Sequence, residues 1–521
     1  MNLANKGIII SIMKLKNILI NSLMLIVSVL ATNSTFAENV SKPALSGKHY
    51  SAPTNLDTSL PDLGDVSQTV LTPQDEQYIG EQIMREVAVS DEVLQDIEVI
   101  DYLNVLGNKL AAASPDKQQK FNFFVVQDNS INAFAMPGGV IGVHTGLLLA
   151  TNSESELASV LGHEIGHVTQ RHMARMLAKQ KTDTFKNIAG IALALLVARA
   201  NPELTNGALA TASAAGVQRQ LDYTREHERE ADRVGLSILD AAGFDARAMP
   251  AFFTTLQRGS RFTDGAAPSF LRTHPLNAER IADVSNRVEN LPYKQVTDSL
   301  EFNLVKAKLR ASNGLAQGAI DQFEDNISER RFASETAEHY GLALAMLRKN
   351  DLAGAQNQVK WLKTNAQQYN GNNAFIENLF ARLEVARNNP QTAASQYAKS
   401  LALFPTHRSL IYGYAEHFLA INQPDKAIQI VHDKQAIYPN DAYFYDILAK
   451  AYNAKNKNLL RFQAQGEAYY RQYNLKRAIE QMEFATKAKD GNFYEQSIVE
   501  TRLKELRRLQ ENEKLAEERL S

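Results

Sequence analysis

The chain has 521 residues, 44% of them hydrophobic and 22% charged, with a formal net charge of −2. That is a globular composition with room for two or three cores, not a disordered or fibrous one. No basic excess argues for nucleic acid as a partner, and the absence of cysteine excludes disulfides, a lipid-modified N-terminal cysteine and a cysteine nucleophile.

At the N-terminus, Lys6, Lys14 and Lys16 precede the apolar run "ILINSLMLIVSVLA" from Ile18 to Ala31, and "STFA" ends at Ala37. This order reads as a secretory signal peptide over 1–37. The run is 14 residues long, against the roughly 20 that a spanning helix needs. The expectation is export to the periplasm of a Gram-negative cell, with no transmembrane span in the mature chain. Residues 38–71 are rich in Ser, Pro, Thr and Asp and read as a flexible linker.

Thr72 is placed to cap a helix that has Pro73 at its first position. A second helix is predicted over about 97–112. "FNFFVVQD" (Phe121–Asp128) reads as a strand. "NAFAMPGGVIGVHTGL" (Asn132–Leu147) reads as a strand, a Pro-Gly-Gly turn and another strand. Ser153 and Glu156 have capping-box spacing, so a helix starts near 154. Residues 188–198, "IAGIALALLVA", would span only roughly 16 Å as a helix. They read as a buried helix or part of a hydrophobic flap over 188–215. A helix over about 225–242 follows, with helical segments to about 290.

The second half changes character. "NNPQTAASQYAKSLALFP" (Asn388–Pro405) aligns with "NQPDKAIQIVHDKQAIYP" (Asn422–Pro439) at a shift of 34. Pro390, Ala393 and Pro405 match Pro424, Ala427 and Pro439, and looser copies begin at Lys349 and Tyr473. This period, with small residues where paired helices touch, is the tetratricopeptide pattern. Leu503–Leu520 reads as a charged, solvated capping helix.

Chemistry concentrates in "LGHEIGHVTQRH", Leu161–His172. Residues four apart on an α-helix lie about 40° apart around its axis, so His163 and His167 can converge on one tetrahedral ion. Glu164, about 100° from His163, can reach a water at that ion without joining the coordination sphere. This is the His-Glu-x-x-His arrangement of zinc peptidases. A third ligand ten residues after His163 is absent, since that position is Met173. His172 is one residue off and reads as a surface or supporting residue.

The third ligand is therefore sought in "REHEREADRVGLSILDAAG", Arg225–Gly243. Ala231, Gly235, Ile238 and Ala242 form an inward stripe, and Glu228 extends it. Glu226 and Glu230 point away from it. A buried acid is costly unless it is paired or binds metal. Asp232, one turn on, can accept the N–H of a ligand histidine. His227 is out of phase and ranks below Glu228.

"HEIGH" followed by "EREAD" resembles the zinc metallopeptidase family that includes the CAAX prenyl proteases and the HtpX-like membrane proteases. "NAFAMPGG" and "RTHPLNAERI" (Arg272–Ile281) are similar to its soluble members. The resemblance implies one Zn2+ held by His163, His167 and Glu228, with Glu164 as general base. It implies a mainly α chain: an α+β zincin-type domain over 72–300 with a small β-sheet, then an all-α tetratricopeptide superhelix over 301–521. The implied activity is zinc-dependent endoproteolysis with chaperone-like activity on unfolded or misassembled outer-membrane proteins. The implied partner of the repeats is the outer-membrane β-barrel assembly machinery. A mainly non-proteolytic scaffold of the outer membrane is the alternative, and a cell-wall amidase a weaker one.

Three expectations concern the surroundings. His274 has three readings: it stabilises the oxyanion, occupies the open metal position in a resting form, or caps a helix before Pro275. It is expected near the metal. Arg280 anchors the same segment or polarises a carbonyl. The strand at Asn132, Ala133, Phe134 and Ala135 is expected to offer its edge to an extended substrate.

Overall fold

The computed structural model describes residues 71–179, 225–262 and 269–520. The expected signal segment, all but the last residue of the expected linker, and the expected flap over 188–215 lie outside the described residues.

The first described helix, α1 (Pro73–Val89), opens with a capping box. The Thr72 hydroxyl accepts the Asp75 N–H at 3.2 Å, and the Asp75 carboxylate accepts the Thr72 N–H at 3.1 Å. Asp96 caps α2 (Ile97–Ala113) by accepting the N–H groups of Glu98 and Val99. A three-stranded sheet follows, with β1 (Asn122–Val126) parallel to β3 (Val140–His144) and β2 (Ala133–Met136) antiparallel to it. The order β1-β3-β2 leaves β2 at an edge. The turn between β2 and β3 needs its glycines, because Gly138 and Gly139 have φ of +76° and +74°.

The second hairpin strand ends sooner than the sequence pattern suggests. After His144 the chain turns into a short helix, α3 (Thr145–Ala150). The Thr145 hydroxyl and the Gly146 N–H both bond the Asp128 carbonyl, at 2.9 and 2.8 Å, which ends the strand there. Ser153 caps α4 (Glu154–Thr169) by accepting the Glu156 N–H. The return bond of the expected capping box is displaced by one residue, since the Glu156 carboxylate takes the Asn152 N–H at 2.6 Å. Then come α5 (His172–Lys179), α6 (Arg225–Ala241), α7 (Ala248–Phe262), α8 (Ser269–Thr273) and α9 (Ala278–Glu289).

From residue 300 the described chain is helical hairpins. They are α10 (Leu300–Ser312) with α11 (Ala316–Ser328), α12 (Glu335–Arg348) with α13 (Leu352–Thr364), and α14 (Ala374–Ala386) with α15 (Pro390–Leu403). Next are α16 (Arg408–Ala420) with α17 (Pro424–Gln435) and α18 (Ala442–Ala454) with α19 (Asn458–Arg471). The array ends with α20 (Leu475–Lys487) and α21 (Phe493–Leu520). The 34-residue step is kept from α14 to α16 to α18. Each hairpin turns on an Asn in the left-handed region, Asn388, Asn422 and Asn456. Ala393 and Ala427 are fully buried at the helix contacts. The looser copy at Lys349 falls out of step because a 3-10 turn, Ala366–Tyr369, lengthens its connection to α14.

The terminal helix is a correction. It starts at Phe493, ten residues early, and is not simply solvated: Val499, Leu503 and Leu506 are buried against Ala478, Ile479 and Met482 of α20. One apolar cluster runs from Val99 of α2 to Leu383 of α14. The later repeats have cores of their own. Charged contacts add to this junction. Lys308 of α10 meets Glu98 and, at 2.7 Å, Asp96, and Arg408 of α16 meets Asp101 of α2. Among the described residues no helix is long and apolar enough to cross a membrane.

Candidate metal centre

The site forms where α4 crosses α6, and glycine sets how close the two helices come. A Cβ on Gly162 would sit 3.0 Å from the Gly235 carbonyl oxygen. One on Gly166 would sit 3.0 Å from that of Ala231, and one on Gly235 would sit 2.8 Å from the His163 nitrogen. Backbone therefore lies on backbone: a side chain at Gly235 would force a shift, and one at Gly162 or Gly166 would press on a carbonyl oxygen. The close crossing carries His163 and His167 alongside Glu228 and Asp232. His274 follows α8 directly, and Arg280 comes from the first turn of α9.

One donor atom each from His163, His167, Glu228 and His274 falls within a sphere of mutual distances no greater than 4.8 Å, and all four residues are buried. His163 Nε2 lies 3.0 Å from His167 Nε2 and 3.3 Å from His274 Nδ1. The Glu228 oxygens lie 3.5 Å from His163, 3.4 Å from His167 and 3.0 Å from His274. Four ligands at zinc-like bond lengths would stand about 3.3 Å from one another. The spacing and the N3O donor set both fit a tetrahedral divalent ion.

The far sides of the donors are held as well. His163 Nδ1 meets Asp232 Oδ1 at 2.9 Å. Arg280, buried beside Phe253, spans Asp232 with two bonds of 2.8 Å and reaches Glu228 Oε2 at 2.7 Å. It also donates to the Pro275 carbonyl at 2.9 Å, which ties down the segment carrying His274. Asn277 caps α9 by accepting the Arg280 N–H.

Electrostatics separate the residues. Burial works against charge on Glu228, but His274, His163 and His167 outweigh it and hold the carboxylate well below its usual range. Burial likewise disfavours charge on His163, yet Asp232 and Glu228 push its ring up to about 10. Burial pulls His167 down to about 3. Glu164, fully buried, moves the other way from Glu228. Burial raises it, against the opposing pull of His274, His163 and the Ala135 N–H. Its Oε1 lies 3.5 Å from His274 Nε2.

The geometry gathers His163, Glu164, His167, Glu228, Asp232, His274 and Arg280 in one place. The strand residues divide by face. Ala133 and Ala135 face the core beside α4, while Phe134 packs on Phe124 and His144 on the other side. Asn132 is buried, and its side-chain amide makes no hydrogen bond among the described residues. Its carbonyl accepts the His144 N–H at 3.0 Å, and the neighbouring Ile131 carbonyl accepts the Phe270 N–H of α8 at 3.0 Å.

Three neighbours complete the surroundings. Of the two readings of His172, surface or supporting, the geometry takes the second: it is fully buried with Nδ1 2.9 Å from His167 Nδ1. His227 is buried against it, the two rings stacked at 4.5 Å. Glu230 is only half exposed, because it bonds His172 and Arg175. The four-residue spacing of Gly162 and Gly166 was the sequence signal for the close crossing.

A helix bearing two imidazoles one turn apart, crossed by a helix bearing a buried carboxylate and joined to a repeat array, defines a metal-dependent endopeptidase with a protein-interaction module. The chain belongs to peptidase family M48, whose profile matches residues 101–288, and a tetratricopeptide repeat profile matches 384–451. It is similar to the beta-barrel assembly-enhancing protease of Escherichia coli K12, 30% identical over 459 residues, covering 87% of this chain and 92% of that one. The corresponding Yersinia pestis protein is 29% identical, with the same coverage. The mitochondrial metalloendopeptidase OMA1 of Arabidopsis thaliana is 33% identical over 204 residues, 39% of each chain.

Proposed function

We propose that this chain is a periplasmic zinc metalloendopeptidase that cleaves unfolded or misassembled outer-membrane proteins and assists the assembly of β-barrels. The observation that carries the reading is the buried convergence of His163, His167, Glu228 and His274 with Glu164 beside them. In this reading His163, His167 and Glu228 are the resident ligands, and an N3O set suits zinc. The domain division is 72–300 for the peptidase and 301–521 for the repeats, after a signal peptide and linker. The names of the full-length relatives support the outer-membrane setting.

A bound divalent ion supplies Lewis acidity, polarising a carbonyl and lowering the pKa of water. Glu164 takes the proton of the attacking water and passes it to the leaving amine. Its raised pKa suits that exchange. The edge of β2, from Asn132 to Ala135, pairs with the substrate main chain, a mode that reads little sequence. Asp232 and Arg280 hold His163 and Glu228 in place. His274, 3.0 Å from Glu228 and 3.3 Å from His163, would complete a resting donor set and would have to move aside for a peptide to enter, because a catalytic centre needs an open position. The concave face of the repeats receives clients or the assembly machinery.

The test uses full-length protein, wild type beside Glu228→Gln and Glu164→Gln. Stoichiometric zinc in wild type and in Glu164→Gln, lost in Glu228→Gln, is expected. So is cleavage of unfolded porin by wild type alone. His274→Ala is expected to keep zinc and to cleave faster, including itself. Full rescue of a deletion strain by Glu164→Gln would replace the protease by a scaffold. Unchanged zinc in Glu228→Gln would remove that residue from the site.

A further inference from the structure

His163 and His167 are supported differently on their far sides. His163 rests on the Asp232 carboxylate. His167 rests on another imidazole, since His172 Nδ1 lies 2.9 Å from His167 Nδ1. On a continuous helix two residues five apart point about 140° away from each other. They meet here because α4 stops at Thr169 and Arg171 adopts φ +50°, a left-handed conformation that non-glycine residues rarely take. The reversal brings His172 back beneath His167. The Arg171 guanidinium holds the turn by donating to the Leu71 carbonyl at 2.6 Å and facing Glu76 at 3.4 Å.

The chain of contacts continues outward. His172 Nε2 meets Glu230 Oε2 at 3.1 Å, and the same oxygen accepts from Arg175 at 2.9 Å. The His227 ring stacks flat on His172, 18° from parallel. Proton placement follows from chemistry. His167 Nε2 faces the donor cluster and presents its lone pair there, so Nδ1 carries the hydrogen. His172 Nδ1 must then accept it, and His172 Nε2–H donates to Glu230.

We propose that His172, clamped by the His227 ring and oriented by Glu230, is the positioning residue for His167: it fixes which nitrogen of His167 is free for the metal and where the ring points. This rests on the metal-centre reading above. Hydrogen-bond partners of ligand histidines set tautomer, orientation and basicity, and their loss costs metal affinity. The two ligands are then unequal. His163 leans on a buried anion bound to Arg280, whereas His167 leans on a neutral ring whose anchor, Glu230, lies on α6 at the margin of the site. The Glu230 side chain is 37% exposed, so a surface ion pair feeds into the metal centre through one imidazole.

Zinc affinity of the full chain tests this, measured by chelator competition in a Glu164→Gln background to prevent self-cleavage. His172→Phe is expected to weaken zinc binding by roughly 10- to 100-fold. Glu230→Ala, one bond further out and half exposed, is expected to lose roughly threefold to tenfold. His172→Gln, which keeps an acceptor and a donor, is expected to recover most of the loss. With Glu164 intact, kcat should fall for His172→Phe while KM stays near wild type. If His172→Phe fails to fold, Glu230→Ala and His172→Gln decide. Wild-type zinc affinity in every variant that folds would overturn the proposal. Failure of the metal-centre reading looks different: the wild type would then hold no zinc that Glu228→Gln removes.

Discussion

The peptidase half and the repeat half bury polar groups in opposite ways. Around α4 and α6, His163, Glu164, His167, His172, Glu228, Asp232, His274 and Arg280 are all buried within one cluster. In the repeats the buried charges are spread along the array, each joining neighbouring helices. Glu338 pairs with Arg310 and Asn326, Glu377 with Gln396 and Ser400, and Asp441 with Arg408 and Tyr412. The first arrangement concentrates field and ligands at a point, which suits chemistry. The second distributes specificity along a line, as a stack of nearest-neighbour units requires. Convergent groups should therefore fail together, and distributed ones should fail singly.

The largest effect expected is at Arg280. Its removal strands Asp232 and Glu228, both buried anions that it touches. Arg280→Ala should cost about 3–5 kcal/mol in metal-free protein, read by urea unfolding, and should also lower zinc uptake. A cost under about 1 kcal/mol would mean that the cluster is not convergent. Lys308 comes next, at the junction. Lys308→Ala leaves Glu98 buried, though Asn378 still donates to it at 2.9 Å, so a loss of about 2–4 kcal/mol is expected.

Glu98 also predicts a pH signature. Burial raises its pKa, but Lys308 and other cations outweigh burial and lower it overall. A carboxylate depressed in the folded state contributes stability above its unfolded pKa and loses it as pH falls through the folded value. Acid unfolding of the wild type below the ordinary carboxylate range should therefore be steeper than that of Glu98→Gln. Glu164 has the reverse sign. Its folded pKa is raised, so its charge costs stability once pH rises through that value. Metal-free Glu164→Gln should therefore be more stable than wild type at pH 7, a gain that vanishes near pH 4. Equal stability at both pH values would place the Glu164 carboxylate in a polar setting.

Much of this was legible in sequence where periodicity carries the information. The inward phase of Glu228 follows from Ala231, Gly235 and Ile238. The 34-residue step follows from the aligned Pro and Ala positions, and the α1 cap from Thr72 and Pro73. What stayed hidden depends on tertiary contact or on a single backbone angle. His172 reads equally as a surface or a supporting residue until Arg171 turns left-handed and folds it back under His167. His274, by contrast, is expected near the metal from the sequence, and Arg280 grips the Pro275 carbonyl of its segment from α9. The strand past His144 stops because Asp128, distant in sequence order, captures Thr145 and Gly146. The packing of α21 on α20 is set by Val499 and Leu506, which lie among charges that mask their phase.

The smallest effect per site belongs to the repeat turns, and it separates the two halves most cleanly. Asn388, Asn422 and Asn456 hold φ values of 58°, 55° and 55° in equivalent turns. Each turn is closed by its own backbone bond, to Val385, Leu419 and Asn453 respectively, so no two share a partner. Ala tolerates this region worse than Asn, and Gly tolerates it better. Each Asn→Ala should cost about 1 kcal/mol, and each Asn→Gly should stay within a few tenths of wild type. Because the turns are independent, the triple Ala variant should equal the sum of the singles to within about 0.5 kcal/mol. The same arithmetic applied to Asp232→Asn, Arg280→Met and their double should fail by more than about 1 kcal/mol, since those two residues are each other's solvent. Additivity at both places would erase the distinction between a convergent and a distributed half, whereas coupling confined to the first would confirm it.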